Sequence, residues 1–233
     1  LRGWGASRRH HGGGVEALDM SFGRALKALA LGALIYLLPL LVVRDRLALP
    51  GPWMALTAMA IIQLSQPAIS AGTMVRDRTD RGSALGIYLA MIVGQLAAVF
   101  EFGFRNPSPP TFFAAWTGAG FIAIVAGLSL RLWAIRTLGR FFTSTVMVQD
   151  GQTVVRTGPY RVLRHPSYTG ALLVSLGVTI VLASPLGAAL TLVLCTPAYL
   201  YRIAVEERTL VKELCDPYRA YRQDTWRLIP GIF

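Results

Sequence analysis

Two groups of residues near the C-terminal end of this chain have the types and spacing to do chemistry. The first is the run Thr157-Gly158-Pro159-Tyr160-Arg161-Val162-Leu163-Arg164-His165-Pro166-Ser167-Tyr168-Thr169-Gly170. It gathers hydroxyl, imidazole, guanidinium and turn residues at one place. Pro166 suits the first position of a helix, Ser167 can cap orphan backbone N–H groups there, and Gly158 and Gly170 permit close backbone approach. The second group is Arg202, Glu206 and Glu207. Arg202 and Glu206 are four apart and share a helix face; a guanidinium fork can orient a carboxylate by a two-pronged contact. Each group also has a plain reading. Arginine at headgroup level with tyrosine in an aromatic belt explains the first, His165 alone fits a structural histidine, and an exposed helix pair contributes only about 0.3–0.5 kcal/mol. A third group, Tyr218, Tyr221, Arg222, Trp226, Arg227 and Pro230, reads as an amphipathic interfacial segment or as a lid folded over a site.

The elements that must position these residues are membrane helices. Four uncharged or nearly uncharged runs, 24–43, 53–72, 84–104 and 112–130, are long enough to span ~30 Å of hydrocarbon, which takes about 20 helical residues. Pro52 sits where a missing N–H costs little, and Asn106-Pro107-Ser108-Pro109-Pro110 makes a turn between the third and fourth runs. A polar stretch over 131–167 follows, in which 143–148 and 153–155 have short extended signals. The last apolar block, 168–203, would be ~54 Å long as a single helix, and Ser184-Pro185-Leu186-Gly187 divides it. The expected arrangement is a helical hairpin, 167–183 and 185–213, whose second arm projects from the membrane because polarity rises after Tyr201. The fold class is therefore all-α integral membrane, with about six transmembrane helices, a basic and disordered tail over 1–23, a four-helix membrane region over 24–130 and a catalytic region over 131–233.

Composition agrees and removes other classes. Of 233 residues, 54% are hydrophobic and 15% charged, against roughly 25% charged in soluble domains. The net charge of +11 would suggest nucleic acid in a soluble protein. Here the basic residues flank apolar runs, so lipid headgroups explain them and no nucleic-acid partner is expected. With six crossings, all but Arg44, Arg46 and Arg105 of the 23 Lys and Arg fall on one side, which puts both termini and the site in the cytoplasm. Cys195 and Cys215 lie in unlike surroundings, so no disulfide is expected. His10, His11 and His165 form no ligand cluster, so no metal is expected either. Both chemical groups would lie at one membrane depth, where ionisable side chains between helices mark a site. They are expected to face one pocket.

Gly158-Pro159-Tyr160, Arg164-His165-Pro166-Ser167-Tyr168-Thr169-Gly170, Glu206-Glu207 and the later Tyr218, Tyr221 and Pro230 resemble the isoprenylcysteine carboxyl methyltransferase family, within a broader group that includes phospholipid N-methyltransferases. The likeness covers about 138–233. It implies S-adenosylmethionine as cofactor, a cytosol-facing pocket with a lateral opening to membrane lipid, and a lipophilic acceptor, a prenylcysteine-type carboxylate first among them. By motif position it implies cofactor contacts from Gln152, Val154, Val155, Tyr160, His165, Pro166, Ser167, Tyr168 and Glu206. Arg202, Glu207 and Arg227 would meet the acceptor, with Arg202 and Glu206 the catalytic pair. One departure is Leu214-Cys215-Asp216-Pro217, where the family usually carries a glycine turn. A phospholipid amine, a small isoprenoid acid or a thiol stays open as acceptor, as do a sterol-reductase-like enzyme using NADPH and a non-catalytic membrane protein. The oligomeric state is not legible.

Overall fold

The computed structural model describes residues 13–66, 82–106, 115–143, 146 and 148–232, with side chains from Gly23 onward. Among them are six α-helices: α1 (Gly13–Tyr36), α2 (Pro50–Leu64), α3 (Ser83–Phe100), α4 (Ala115–Leu138), α5 (Pro166–Val181) and α6 (Pro185–Gln223). No strand occurs among the described residues; the one β-type pairing is an isolated parallel bridge between Leu163 and Trp226. Ser83–Arg105, Ala115–Phe141 and Pro185–Gln223 are long and apolar enough to cross a membrane, and α5 is a shorter apolar helix.

Local chemistry sets the helix ends and moves several expected boundaries. α1 begins at Gly13, so the expected disordered tail is helical from there; Val15, Glu16, Ala17, Leu18 and Met20 favour or tolerate a helix and no proline interrupts them. Residues 1–12 lie outside the described residues. Pro39 cannot continue α1, and the chain proceeds through two tight turns, Leu38–Val42 and Arg44–Ala48. α2 stops at Leu64, and the remainder of the second expected run from residue 67 is outside the described residues, as are residues 107–110 of the proline turn. Residues 153–155 belong to no helix or strand, and 144, 145 and 147 are not described.

The larger correction is at α4, which runs through the expected loop start to Leu138 and makes Arg131 a buried helix residue. A division at 130/131 therefore falls inside a helix. α5 starts from Pro166 with His165, not Ser167, at the cap position and no side-chain cap bond; proline at N1 sets the helical φ one residue earlier than the serine. α6 begins under tighter control. Ser184 Oγ accepts from Gly187 N–H at 2.9 Å, while Glu101 Oε2 accepts from Leu186 N–H at 2.9 Å and from Ser184 Oγ at 2.6 Å. Those contacts satisfy donors that a helix N-terminus leaves orphaned. α6 also runs past its expected end to Gln223, with a break at Cys215, where φ is 49° and ψ is −130°.

α4 lies along α5, α3 along α6 and α1 along α2. The α4–α5 seam is made of glycines seven apart on each helix. A Cβ at Gly127 would meet the Gly170 carbonyl oxygen at 2.6 Å, and one at Gly120 would meet the Gly177 carbonyl oxygen at 2.7 Å. In lipid, where no hydrophobic effect drives helices together, such close backbone packing is what holds them. The core runs from Tyr36 and Leu40 through Ala98 and Phe102 to Val178, Leu182 and Tyr199. It contains one polar thread: Tyr36 Oη donates to Gln95 Oε1 at 3.1 Å and Gln95 Nε2 to the Ser175 carbonyl at 3.2 Å. Outward-facing Trp53, Phe100, Trp116, Phe121, Ile122 and Val193 are exposed, as expected of helices whose surroundings are lipid.

Gly127→Val should lower the melting temperature in detergent, overpacking costing about 1–3 kcal/mol. Gly118→Val on the same helix, where a Cβ meets nothing within 4 Å, should not. Cys215→Gly should raise the melting temperature, because glycine reaches that positive φ without the Cβ clash that costs other residues about 1–3 kcal/mol.

Candidate functional site

The α6 residues Arg202, Glu206, Leu210 and Leu214 recur every four positions and form one stripe. That stripe is one wall of an open cleft enclosing about 860 Å³ of atom-free space, open solvent included. The facing wall is the motif segment: Tyr160 from a tight turn at Gly158–Arg161, then Arg164, His165, Ser167 and Tyr168 from the start of α5. Gln152, Thr153, Val154 and Val155 close one end, with Leu138, Phe141 and Phe142 from the end of α4. Gly158 makes this approach possible. Its φ is +56°, and a Cβ there would meet Thr137 Oγ1 at 2.8 Å.

Inside the cleft the two expected groups meet. Tyr168 Oη donates to Glu206 Oε2 at 2.8 Å and accepts from Arg202 Nε at 3.3 Å. Arg202 Nη1 donates to Ser83 Oγ at 3.1 Å, fixing the guanidinium on two edges. His165 Nδ1 lies 3.9 Å from Glu206 Oε2. Burial first, and then the neighbouring Glu206 carboxylate, raise the Tyr160 phenol above its ordinary range, so it remains a neutral hydroxyl. Arg131 was missed in the sequence because it was placed in a loop. Its guanidinium is buried beneath the cleft, with Nε on Ser65 Oγ at 3.0 Å, Nη1 on the Ser167 carbonyl at 3.2 Å and Nη2 without a partner. An arginine inside an apolar run was the signal, since intramembrane charge is expensive and retained for function.

Other expected contacts lie elsewhere. Pro166 is buried at the start of α5 and does not line the cleft, and neither do Glu207 and Arg227. Glu207, about 100° further round α6, is the centre of an ion cluster. Its Oε1 accepts from Arg164 Nε at 2.9 Å and lies 3.3 Å from His165 Nε2, and its Oε2 lies 3.5 and 3.6 Å from Arg222 and Arg227 Nη2.

This cluster fastens the tail to the motif. Arg164 N–H donates to the Trp226 carbonyl at 2.8 Å and Trp226 N–H to the Val162 carbonyl at 2.9 Å. Arg164 Nη1 donates to the carbonyls of Arg222 and Thr225, and Thr169 Oγ1 to the Leu228 carbonyl. Tyr221 Oη donates to the Tyr160 carbonyl at 2.9 Å. The tail is thus folded back on the site and is not a separate interfacial helix. Removing the central charge should loosen it: Glu207→Gln leaves the buried Arg164 guanidinium without its counter-charge, at a cost of about 3 kcal/mol. The expected readout is faster amide exchange at Arg164 and Trp226, with exchange in the α4–α5 seam unchanged.

Relatives bear on the same segment. A model of the isoprenylcysteine carboxyl methyltransferase (ICMT) family matches residues 119–212. Protein-S-isoprenylcysteine O-methyltransferase B of Arabidopsis thaliana is 32% identical over 148 residues, 62% of this chain and 73% of that protein. A probable protein-S-isoprenylcysteine O-methyltransferase of Oryza sativa subsp. indica is 28% identical over 186 residues, 77% of this chain and 96% of that protein. The solved structure of the eukaryotic intramembrane Ras methyltransferase ICMT superposes with a TM-score of 0.51 at 19% identity, covering 94% of this chain and 86% of that one. With the matched segment running from α4 into α6 and so carrying both walls of the cleft, the chain belongs to the isoprenylcysteine carboxyl methyltransferase family, whose members are membrane methyltransferases.

Proposed function

We propose that this chain methylates the carboxylate of a lipophilic, prenylcysteine-type acceptor, using S-adenosylmethionine bound in the α5–α6 cleft. The observation that carries the reading is the Arg202–Tyr168–Glu206 chain of hydrogen bonds inside that cleft. It sets a fixed cation beside a fixed carboxylate at the mouth of apolar helices. When bound, the cofactor supplies an electrophilic methyl group on a sulfonium, whose sulfur leaves as a neutral thioether as the acceptor oxygen forms the new C–O bond.

The residues present fit such a group. Glu206 offers a carboxylate to an ammonium, Gln152 with Val154, Val155 and Tyr160 offers one polar and apolar end, and Leu138, Phe141 and Phe142 offer aromatic and aliphatic surface for a purine. His165, Ser167 and Tyr168 complete the wall. Arg202 orients the acceptor carboxylate rather than activating it, since an over-tight pair would blunt the nucleophile. An ionised carboxylate needs no general base. Arg131, buried below, adds positive potential in a medium where charge is poorly screened. Excluding water favours this reaction, because both opposite charges vanish in it and solvation of separated charges opposes it. Holding acceptor oxygen, methyl carbon and sulfur in line supplies much of the remainder. The acceptor reaches the cleft laterally from the bilayer and the polar cofactor from the cytosol. That route requires both termini and the cleft to lie on the cytoplasmic side, with six crossings in which residues 24–130 frame a catalytic region over 131–233.

Calorimetry on the detergent-purified chain is the first test. S-adenosylmethionine should bind saturably, Glu206→Ala should abolish measurable binding with folding intact, and NADPH should not compete. Arg202→Ala should spare cofactor binding and lower kcat/KM for a farnesylcysteine analogue roughly 10- to 100-fold, the worth of a charged hydrogen bond. Arg202→Lys should restore little of that, since a point charge lacks the fork. NADPH binding in place of the methyl donor would overturn the reading.

A further inference from the structure

His165 stands between two carboxylates that have different surroundings. Its ring is buried, 4% exposed, at the start of α5, and its two nitrogens meet different neighbours. Nε2 lies 3.3 Å from Glu207 Oε1, within hydrogen-bond reach, whereas Nδ1 lies 3.9 Å from Glu206 Oε2, beyond it. The ring plane is held by the Tyr168 ring, stacked on it at 5.7 Å and 11°, and Tyr168 Oη donates to that same Glu206 oxygen. Glu207 is held in turn: Arg164 Nε donates to its Oε1, and Arg222 and Arg227 approach its Oε2.

That arrangement decides where the imidazole hydrogen goes. A carboxylate offers acceptors only, and a neutral imidazole carries one N–H. The bond made by one ring nitrogen fixes the state of the other. The nitrogen against Glu207 therefore carries the hydrogen, and Nδ1 keeps a lone pair on the side of Glu206, which lines the cleft. Two acceptors, Nδ1 and Glu206 Oε2, then lie 3.9 Å apart. Neither can bond the other at that spacing, but an ammonium, with three donors on one nitrogen, can serve both.

We infer that Glu207 is a positioning residue for cofactor binding: by keeping the hydrogen on His165 Nε2, it makes Nδ1 a second acceptor, beside Glu206, for the ammonium of the methyl donor. The inference rests on the methyl-transfer reading and gives Glu207 a part in it, although Glu207 does not line the cleft. In the opposite tautomer an Nδ1–H would point a donor at Glu206 and compete with the ammonium for it.

Nitrogen NMR and calorimetry test this together. The chain has three histidines, His10, His11 and His165, so nitrogen-15 histidine labelling of the full chain carrying His10→Gln and His11→Gln reports His165 alone. At neutral pH a bare Nδ1 and a protonated Nε2 are expected. Glu207→Gln, whose amide offers a donor as well as an acceptor, should leave the two tautomers mixed. A hydrogen on Nδ1 of the parent chain, alone or with one on Nε2, would overturn the inference. In calorimetry Glu207→Gln should weaken S-adenosylhomocysteine about tenfold, as for a lost hydrogen bond to a charged group. The analogue with hydrogen in place of the ammonium should bind parent and variant alike. That ligand separates positioning from the loosened tail: an equal loss for both would make Glu207 purely structural and overturn the inference. In a His165→Ala background Glu207→Gln should cost no further affinity, and a full additional loss there would overturn it as well. Failure of the folded parent chain to bind either ligand would instead remove the methyl-transfer reading, and this inference with it.

Discussion

A carboxylate removed from water must be compensated where it stands, and Glu207 is the point at which this fold meets that constraint. Its side chain is 5% exposed and is met by Arg164 and His165 from the entrance of α5 and by Arg222 and Arg227 from the tail. Three parts of the chain far apart in sequence thereby share one charge. The order of the site follows from this. With Arg164 held, its neighbour His165 faces the cleft, α5 starts at Pro166, and Tyr168 reaches Glu206 one turn in. Glu206 and Glu207 are adjacent in sequence, about 100° apart around α6, with the His165 ring beside both. One serves the cleft and the other holds the wall that forms it.

The membrane half supports the same geometry by different means. In lipid the hydrophobic effect does not bring helices together, so contact area and backbone approach decide. The glycines of α4 and α5 allow a seam closer than any side chain would, and that seam carries Arg131 under the cleft. The pairing of α3 with α6 brings Ser83 onto Arg202. Through that hydrogen bond α3, which carries no chemical motif of its own, helps hold the Arg202 guanidinium in place.

The break in α6 at Cys215 shows how local rules and family pattern can be satisfied by an unexpected residue. The family's usual glycine turn is absent from Leu214-Cys215-Asp216-Pro217, yet the backbone at Cys215 takes the positive φ that glycine would adopt. Pro217, two residues on, cannot donate to a helical ladder and favours the break there. The turn persists because the tail beyond it is tied down, and the strain is carried by side chains such as Arg156, Tyr221 and Arg164 that hold the returning chain.

Much of this was legible in the residues. Long uncharged runs can be stable only as helices in lipid, since every backbone group must be satisfied within the segment. The Ser184-Pro185 division of the last apolar block, the helix start at Pro166 and the shared face of Arg202 and Glu206 likewise follow from spacing and backbone chemistry alone. What the residues could not say is which side of a helix meets which partner. The burial of Arg131, the turning of Glu207 and Arg227 away from the cleft, the grip of Ser83 on Arg202 and the fold-back of the tail are contacts between residues 15 to 119 positions apart. Sequence determined that the chain is helical and membrane-embedded, where its last apolar block breaks, and the family of the site, because those depend on local periodicity and motif. Only the tertiary structure decided which charges face the cleft and which are spent holding it together, because a buried charge is placed by the partners that come to compensate it.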